Sequence, residues 1–569
     1  MNVALWHYTN ENDKSTYMPL GIRYLKSYAE QYCEQHHNVM IIERLHELTD
    51  DVDVVAISCM SQDFELLKEQ LQEIRKRVRD IVLGGYHISL MPETLPEEIA
   101  VGVRFEGEET FREILDIRAR NGSLQPEYLS DVKGIVYRNK GNVQINPLRE
   151  PIKKMETIPF PDRTSLMKPW WQKKQNLFSS RGCPFKCVFC SSTNFWSRFR
   201  RFGAEYVVDE ISAILRDFPD TQEITFVDDL FTADRKRLRN IISLMEERNI
   251  LGKLLINISI RADQVDDEMC QLLKVLNANF IYFGMESASP RILNYLKKGT
   301  LTVPQIQNAL DLLYRNGIPI SASIIVGSPG ETEEDLRMTY DFVVRNMREG
   351  KLNEVAANIL SPMPGTELWE EGKTRGIIQE PVEWNRMLYY GYTHTEKFYN
   401  RPFQEWVKLR SQNDSFYLND EMMSQHRLYE IMLEYDVQIK KIFVERIYRK
   451  YRVLIENTLA QLQPGRKLIV YHVNEISYAL VHLLREQNFE VSYVITDDDE
   501  MNYTYLSDVP VLQSGQWSRI KDDHIVISCS EKDSVEVQRL TEKKRLDLIN
   551  LTAETLRVGG GRVVEAERK

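Results

Sequence analysis

The stretch NLFSSRGCPFKCVFCSST (residues 176–193) decides how this chain is read. An apolar strand signal, NLFSSRG, runs into a short loop that carries Cys183, Cys187 and Cys190 in the spacing C-x3-C-x2-C. Thiols at these offsets can converge on one metal centre while the backbone stays compact. Cys33, Cys59, Cys270 and Cys529 lie scattered in separate elements with no CxxC pairing. Closed iron–sulfur sites use four cysteine ligands. Three thiolates therefore leave one iron open, much as a catalytic zinc keeps a position free for chemistry. The competing reading is a three-cysteine zinc knuckle completed by a histidine, but His36 and His87 are remote in sequence and no histidine closely follows the loop.

Downstream, the same strand signal recurs on a regular beat in EITFVDD (223–229), LLINISIR (254–261), FIYFGMES (280–287), ISASIIVG (320–327) and VAANIL (355–360). The intervening stretches carry apolar residues at helical spacing, such as Val207, Val208, Ile211, Ile214 and Leu215. Six successive strand–helix units over residues 173–375 favour a barrel or part of one, with active groups at the C-terminal strand ends. Residues 1–150 alternate in the same way: NVALWHY, DVVAISCM and DIVLGGYH read as buried strands between amphipathic helices, giving an open doubly wound α/β domain. Pro147, Pro151, Pro159 and Pro161 punctuate the stretch 145–171 and argue for an extended linker, bounded at 151–172.

Residues 376–463 lose the strand signal and read as a helical segment, and 464–569 return to βαβ as a small Rossmann-like domain with a glycine-rich, mobile tail at 558–569. The first strand–helix turn of that domain, YHVNEIS, holds no glycine, so the dinucleotide fingerprint is missing.

The chain has 569 residues and a net charge of −11 spread over both signs. That length suggests three or four domains. No basic arm or arginine stripe stands out, so nucleic acid is not expected as a partner. No export signal and no run of eighteen apolar residues is read, so the expected location is the cytosol, without a membrane span. Seven cysteines in so long a chain do not make a disulfide framework.

With Phe189 just before its last cysteine, the loop resembles the radical S-adenosylmethionine (SAM) superfamily. The resemblance implies a [4Fe-4S] cluster whose open iron is chelated by the amino and carboxylate groups of SAM. Reduction then yields a 5′-deoxyadenosyl radical that abstracts hydrogen from substrate. It also implies that Asp228 and Asp229 lie near the methionine amino group, Arg261 and Glu286 near the carboxylate and ribose, and Gly327 and Gly330 near the adenine. Carboxylates accept from an ammonium, a guanidinium pairs a carboxylate, and glycine permits close backbone approach. Each residue has an ordinary alternative as a surface acid, a salt-bridge arginine or a turn glycine. SPMPGTELWE (361–370) is similar to the family too, or is only a structural turn.

The first 160 residues, with VLGGYHISLMPETLPE, FEGEETF and IPFPDR, are similar to the subfamily that places a cobalamin-binding domain ahead of the radical barrel. Gly84 and Gly85 end a strand where a large flat ring can lie over the sheet edge. The loop HYTNENDKSTYMPLG lacks D-x-H-x-x-G, so no protein histidine below cobalt is expected, and His87 reads as a sheet-edge residue rather than a ligand.

The favoured function is cobalamin-dependent methyl transfer to an unactivated centre of a small-molecule or natural-product intermediate. Two alternatives stand: a cobalamin-independent radical dehydration, epimerisation or rearrangement with the first domain as a lid, and a non-catalytic metal-binding scaffold. A reducing flavin or iron–sulfur protein is the implied electron donor. The C-terminal domain is open to partner docking or substrate or carrier recognition. Tyr389, Tyr390 and Tyr392 are candidates to line the substrate pocket, though packing is the commoner role for such aromatics.

Overall fold

A computed structural model describes residues 1–9, 17–387, 391–394, 403–412, 416–462 and, between 465 and 550, the strands and helix named below. The glycine-rich stretch 558–569 lies outside the described residues.

The first domain is a seven-stranded sheet in the order Asn38–Ile42, Asn2–Tyr8, Val54–Cys59, Asp80–Gly84, Val101–Val103, Ile135–Asn139, Asn142–Ile145. Its first five strands are parallel, as their buried Val, Ile and Leu runs require, and helices cover them. The last two run antiparallel and do not follow from the periodicity. They are joined by Lys140 (φ 51°) and Gly141 (φ 83°), a pair in the left-handed region that suits the primed two-residue hairpin turn.

The second domain carries the six expected strands, Lys174–Leu177, Glu223–Phe226, Leu255–Ile260, Ala278–Glu286, Ile320–Val326 and Glu354–Ile359, all parallel and in chain order. The first and sixth do not pair with each other, so the barrel is partial. A short strand, Tyr392–Thr393, adds antiparallel to the sixth. The helices between strands bury one apolar stripe; Ala204–Asp217 buries Val207, Val208, Ile211 and Ile214. Two of them begin with capping boxes, Thr302 with Gln305 and Thr332 with Asp335.

Proline-rich residues 146–168 cross from the first domain to the second, and this connection is pinned. The buried Arg23 side chain donates to the carbonyls of Asp162 (3.0 Å), Ser165 (2.8 Å) and Leu166 (3.2 Å), while Arg163 reaches Glu210 at 2.6 Å. Met18 and Asn176 exchange two hydrogen bonds, and Arg181 bridges to Glu108 at 2.5 Å. Met18, Leu20, Tyr24, Met155 and Ile158 are buried in the barrel's own core. The two domains therefore share apolar burial as well as polar contacts, which favours a stable mutual orientation.

The helical segment is dominated by one helix, Gln425–Leu459, interrupted only at Tyr451, whose φ and ψ are −117° and 23°. Its first half packs on the helix Glu333–Arg348, with Tyr435 stacked on Tyr340 at 4.7 Å. Its second half joins the core of the C-terminal domain through Phe443, Val444, Ile447 and Ile455. That domain has a sheet in the order Tyr505–Leu506, Val509–Gln513, Val491–Thr496, Lys467–Tyr471, His524–Ser528, Asp547–Asn550, parallel except at the first pairing, with the helix Glu475–Glu486 beside it.

Candidate active site

The cysteine loop leaves the first barrel strand through a tight bend. Gly182 (φ 83°) sits where a Cβ would lie 2.8 Å from the Arg198 carbonyl oxygen, so a side chain there collides with backbone. Beyond it the loop is tied down at several points. The Val188 N–H donates to the Leu296 carbonyl at 3.1 Å, the Cys190 N–H to the Cys187 carbonyl at 3.2 Å, and the Thr193 hydroxyl to the Phe185 carbonyl at 2.9 Å. Val188 is buried among Ile292, Leu296, Ile325, Leu360, Leu368 and Leu418, which fixes the loop on the barrel mouth.

Cys183, Cys187 and Cys190 are all free thiols, each partly exposed. They lie close enough that the charges of Cys183 and Cys187 act on Cys190, and burial pushes the Cys190 thiol up to about 11. Burial also raises Cys183, with Asp229 and Cys187 adding to it. Three soft donors that repel one another as thiolates fit a cationic iron centre, which removes their protons on binding.

Two cations flank the loop. The Arg261 guanidinium lies 3.5 Å from the centre of the Phe185 ring and is held by Asp263 (3.0 and 3.2 Å) and by the Thr300 carbonyl (3.1 Å). The Lys297 ammonium lies 5.4 Å from the centre of the Phe189 ring and donates to Glu286 at 2.7 Å. Glu286 itself takes a left-handed backbone (φ 60°) where the fourth strand slips register against the fifth.

The two aspartates part company. Asp228 is 3% exposed and accepts from the Ser179 N–H (2.7 Å) and the hydroxyls of Ser179 (2.6 Å) and Ser180 (2.5 Å), with Arg237 at 4.0 Å. Burial raises its pKa against those partners. Asp229 faces the cysteines, accepting from the Ser192 hydroxyl at 2.5 Å and from the Gly182 backbone; burial raises it as well.

At the fifth strand end, the Gly327 N–H donates to Glu331 at 2.6 Å, and a Cβ on Gly327 would meet the Tyr417 ring at 2.6 Å. The Gly330 carbonyl accepts from Arg291 at 2.9 Å. Glu331 is fully buried, one of its carboxylate oxygens has no hydrogen-bond partner, and burial pushes its pKa up to about 8. A carboxyl whose folded pKa lies above its unfolded value binds its proton more tightly when folded. Stability is then present in full below the unfolded pKa and falls as pH rises through the folded one. Thermal melts of Glu331→Gln are expected to show the parent losing stability relative to the variant between about pH 5 and pH 8, by about 1.4 kcal/mol for each pH unit crossed. Parallel pH profiles for the two proteins would contradict this.

The first domain meets this loop. Gly85 (φ 95°) packs so closely that a Cβ would lie 2.6 Å from the Cys59 carbonyl oxygen, whereas Gly84 has more room. The bend delivers Tyr86, whose ring stacks on Phe195 at 4.0 Å and 15°. Phe195 belongs to the short helix Ser192–Trp196 that directly follows the cysteines, and Leu90 packs on Gly365 of the SPMPG turn. The C-terminal edge of the first sheet and the mouth of the barrel thus face one another.

His87 is not at a sheet edge but fully buried. Its ring nitrogens lie 3.1 Å from the Ser61 hydroxyl and 2.9 Å from the Thr94 hydroxyl, and its ring stacks on Phe64 at 3.7 Å. Burial pushes it down to about 3, so it is neutral. Tyr389 and Tyr390 lie outside the described residues; Tyr392 is buried against Phe403 and Trp406. Lys297, Phe185 and Ser192 escape sequence reasoning. Ser192 is the most accessible of them, as a hydroxyl two residues after the last cysteine, whereas Lys297 gives no local signal.

Residues 177–343 match the family described as the radical SAM superfamily, and residues 9–115 match the B12 binding domain. An uncharacterized methyltransferase of Pyrococcus horikoshii is 31% identical over 384 residues, covering 63% of this chain and 79% of that relative. The cytidylyl-2-hydroxyethylphosphonate methyltransferase of Streptomyces wedmorensis is 23% identical over 462 residues, covering 68% of this chain and 84% of that relative. Among solved structures, the radical SAM methyltransferase TsrM of Kitasatospora setae, with cobalamin and a [4Fe-4S] cluster bound, matches with a TM-score of 0.56 at 18% identity, covering 67% of this chain and 76% of that one. The cobalamin-dependent radical enzyme OxsB matches with a TM-score of 0.56 at 19% identity, covering 86% of this chain and 71% of that one. Both structures share the fold.

Proposed function

Because the chain belongs to the radical SAM superfamily and carries a B12-binding domain ahead of the radical domain, we propose that it is a methyltransferase acting on an unactivated centre of a small-molecule or natural-product intermediate. Its cofactors are a [4Fe-4S] cluster, SAM and cobalamin. The observation that carries the reading is the stacking of Tyr86, at the C-terminal edge of the first sheet, on Phe195 beside the cysteine loop. It supports the reading because a strand edge of the kind that takes flat ligands then lies beside the proposed cluster loop. Bound there, the cofactors supply one-electron cleavage of SAM for hydrogen abstraction and a corrinoid carrier for the methyl group.

Cys183, Cys187 and Cys190 would hold the cluster. Asp229 suits the methionine ammonium better than Asp228, whose carboxylate is already committed to Ser179, Ser180 and Arg237. Arg261, fixed by Asp263 and Phe185, offers charge to the carboxylate, and Glu286, braced by Lys297, an acceptor for the ribose. Gly330 suits close backbone approach to the adenine better than Gly327, whose open face is covered by Tyr417. A reducing flavin or iron–sulfur protein in the cytosol would supply the electron, and the C-terminal domain would serve partner docking or substrate or carrier recognition. No helix among the described residues is long and apolar enough to cross a membrane.

Protein produced anaerobically with hydroxocobalamin, then given SAM and a low-potential reductant, tests this. Iron and cobalt in a ratio of about four to one, a corrinoid spectrum, and formation of both S-adenosylhomocysteine and 5′-deoxyadenosine are expected. 5′-Deoxyadenosine without cobalt would leave the cobalamin-independent reading. Neither product from a reduced, iron-loaded protein would leave the scaffold reading.

A further inference from the structure

At the opposite end of the first domain from Gly84 and Gly85, a cysteine, a histidine and an aspartate come together. Cys33 caps the C-terminus of the helix Leu20–Tyr32, His37 directly precedes the strand Asn38–Ile42, and Asp116 projects from the helix Glu108–Asn121. The Cys33 sulfur, a His37 ring nitrogen and an Asp116 carboxylate oxygen all lie within 4.8 Å of one another.

His37 is the telling member. It is 3% exposed, yet neither ring nitrogen has a hydrogen-bond partner. A buried polar group left unsatisfied costs about 1–3 kcal/mol, and native proteins keep few of them. An imidazole buried in this way can offer a ring-nitrogen lone pair to a metal.

Asp116 is held in place: one oxygen accepts from the Glu34 N–H at 2.9 Å and the other from Arg112. Such outer contacts orient a ligand without using all its lone pairs. Arg112 opposes a cation, but it also pairs with Glu109 at 2.8 Å, so the Cys33 thiolate, Asp116 and Glu109 together balance Arg112 and a divalent ion in charge.

We propose that Cys33, His37 and Asp116 form a zinc site, separate from the radical centre, that staples the first helix, the following turn and the helix Glu108–Asn121 together. One sulfur, one imidazole nitrogen and one carboxylate oxygen are the donor mixture zinc accepts, with water in the fourth position. Cys33 binds as the thiolate and its proton passes to solvent.

Zinc per chain, measured by mass spectrometry after equilibration of the full-length protein with micromolar zinc and removal of the excess, tests the site. The cluster cysteines can also capture zinc, so the decisive background is Cys183→Ala/Cys187→Ala/Cys190→Ala. That variant should keep about one zinc per chain, and cobalt(II) in its place should give a thiolate-to-cobalt absorption band. Adding Cys33→Ser or His37→Ala to it should remove the metal and the band, weakening zinc binding by more than about 100-fold. A chelator should lower the melting temperature of the background protein itself, a readout that needs no further variant to fold. Absence of stoichiometric zinc from that background, or zinc unchanged by Cys33→Ser and His37→Ala, overturns the proposal.

Discussion

Replacing Cys187 with alanine is expected to remove the cluster and, with it, all 5′-deoxyadenosine formation. The loop is held to the barrel by Val188 and to itself by the Cys190–Cys187 and Thr193–Phe185 hydrogen bonds, so the alanine variant keeps the loop's shape and loses only the sulfur. Two thiolates then remain for a cubane that needs three protein ligands and one open iron. Since loss of mere outer-shell contacts costs 10–100-fold in metal affinity, loss of a ligand should weaken cluster binding by more than about 100-fold, and the purified variant should carry little iron. Iron analysis and chromatography of the SAM cleavage products read the result. Normal iron content with full 5′-deoxyadenosine yield would remove the basis for assigning the cluster to this loop.

The second large effect is expected from Lys297→Met. Lys297 and Glu286 are each 6% exposed and meet at 2.7 Å, so the methionine leaves a buried carboxylate without its cation. Breaking one side of a buried pair costs about 3–5 kcal/mol, far more than the pair itself contributes. Burial alone would lower the Lys297 pKa, but Glu286 and Cys187 raise it, so the ammonium is charged beside the cluster loop. Anaerobic urea unfolding should show the loss, and Glu286→Gln/Lys297→Met should recover a large part of it by removing the stranded charge. In folded Lys297→Met protein the apparent KM for SAM should rise while iron content holds, because Glu286 loses the brace that aims it. An unchanged unfolding midpoint for Lys297→Met would show that the pair is not buried and charged as described.

The structure rearranges the emphasis among the sequence candidates rather than replacing them. Asp228 and Asp229 are adjacent and chemically identical, so nothing in the string separates them. Past the strand end, one turns in to Ser179, Ser180 and Arg237, and the other accepts from Ser192 beside the cysteines. Gly327 and Gly330 look equivalent as close-approach residues, but only the fold reveals that Tyr417, ninety residues on, covers the first. His87 reads as a sheet-edge residue and is instead deep in the first domain, stacked on Phe64 with both nitrogens engaged. Helical spacing over 422–462 is legible, yet that a single helix carries the barrel's packing into the C-terminal core is not.

Residue order alone made the local features legible: the three-cysteine spacing, the six strand signals with helical periodicity between them, and the strand–helix order of the parallel part of the first domain and of the last domain. These follow from period and from offsets of a few residues, which the backbone converts directly into geometry. Everything that depends on where distant side chains converge came instead from the folded arrangement. Glu286 finds Lys297 across a strand–helix turn, Tyr86 finds Phe195 across two domains, and Cys33 and His37 find Asp116, some eighty residues on, where two helices pack together. The reason is physical: such meetings are set by packing layers and by the direction each side chain leaves its element, and those are properties of the folded core that no local window contains.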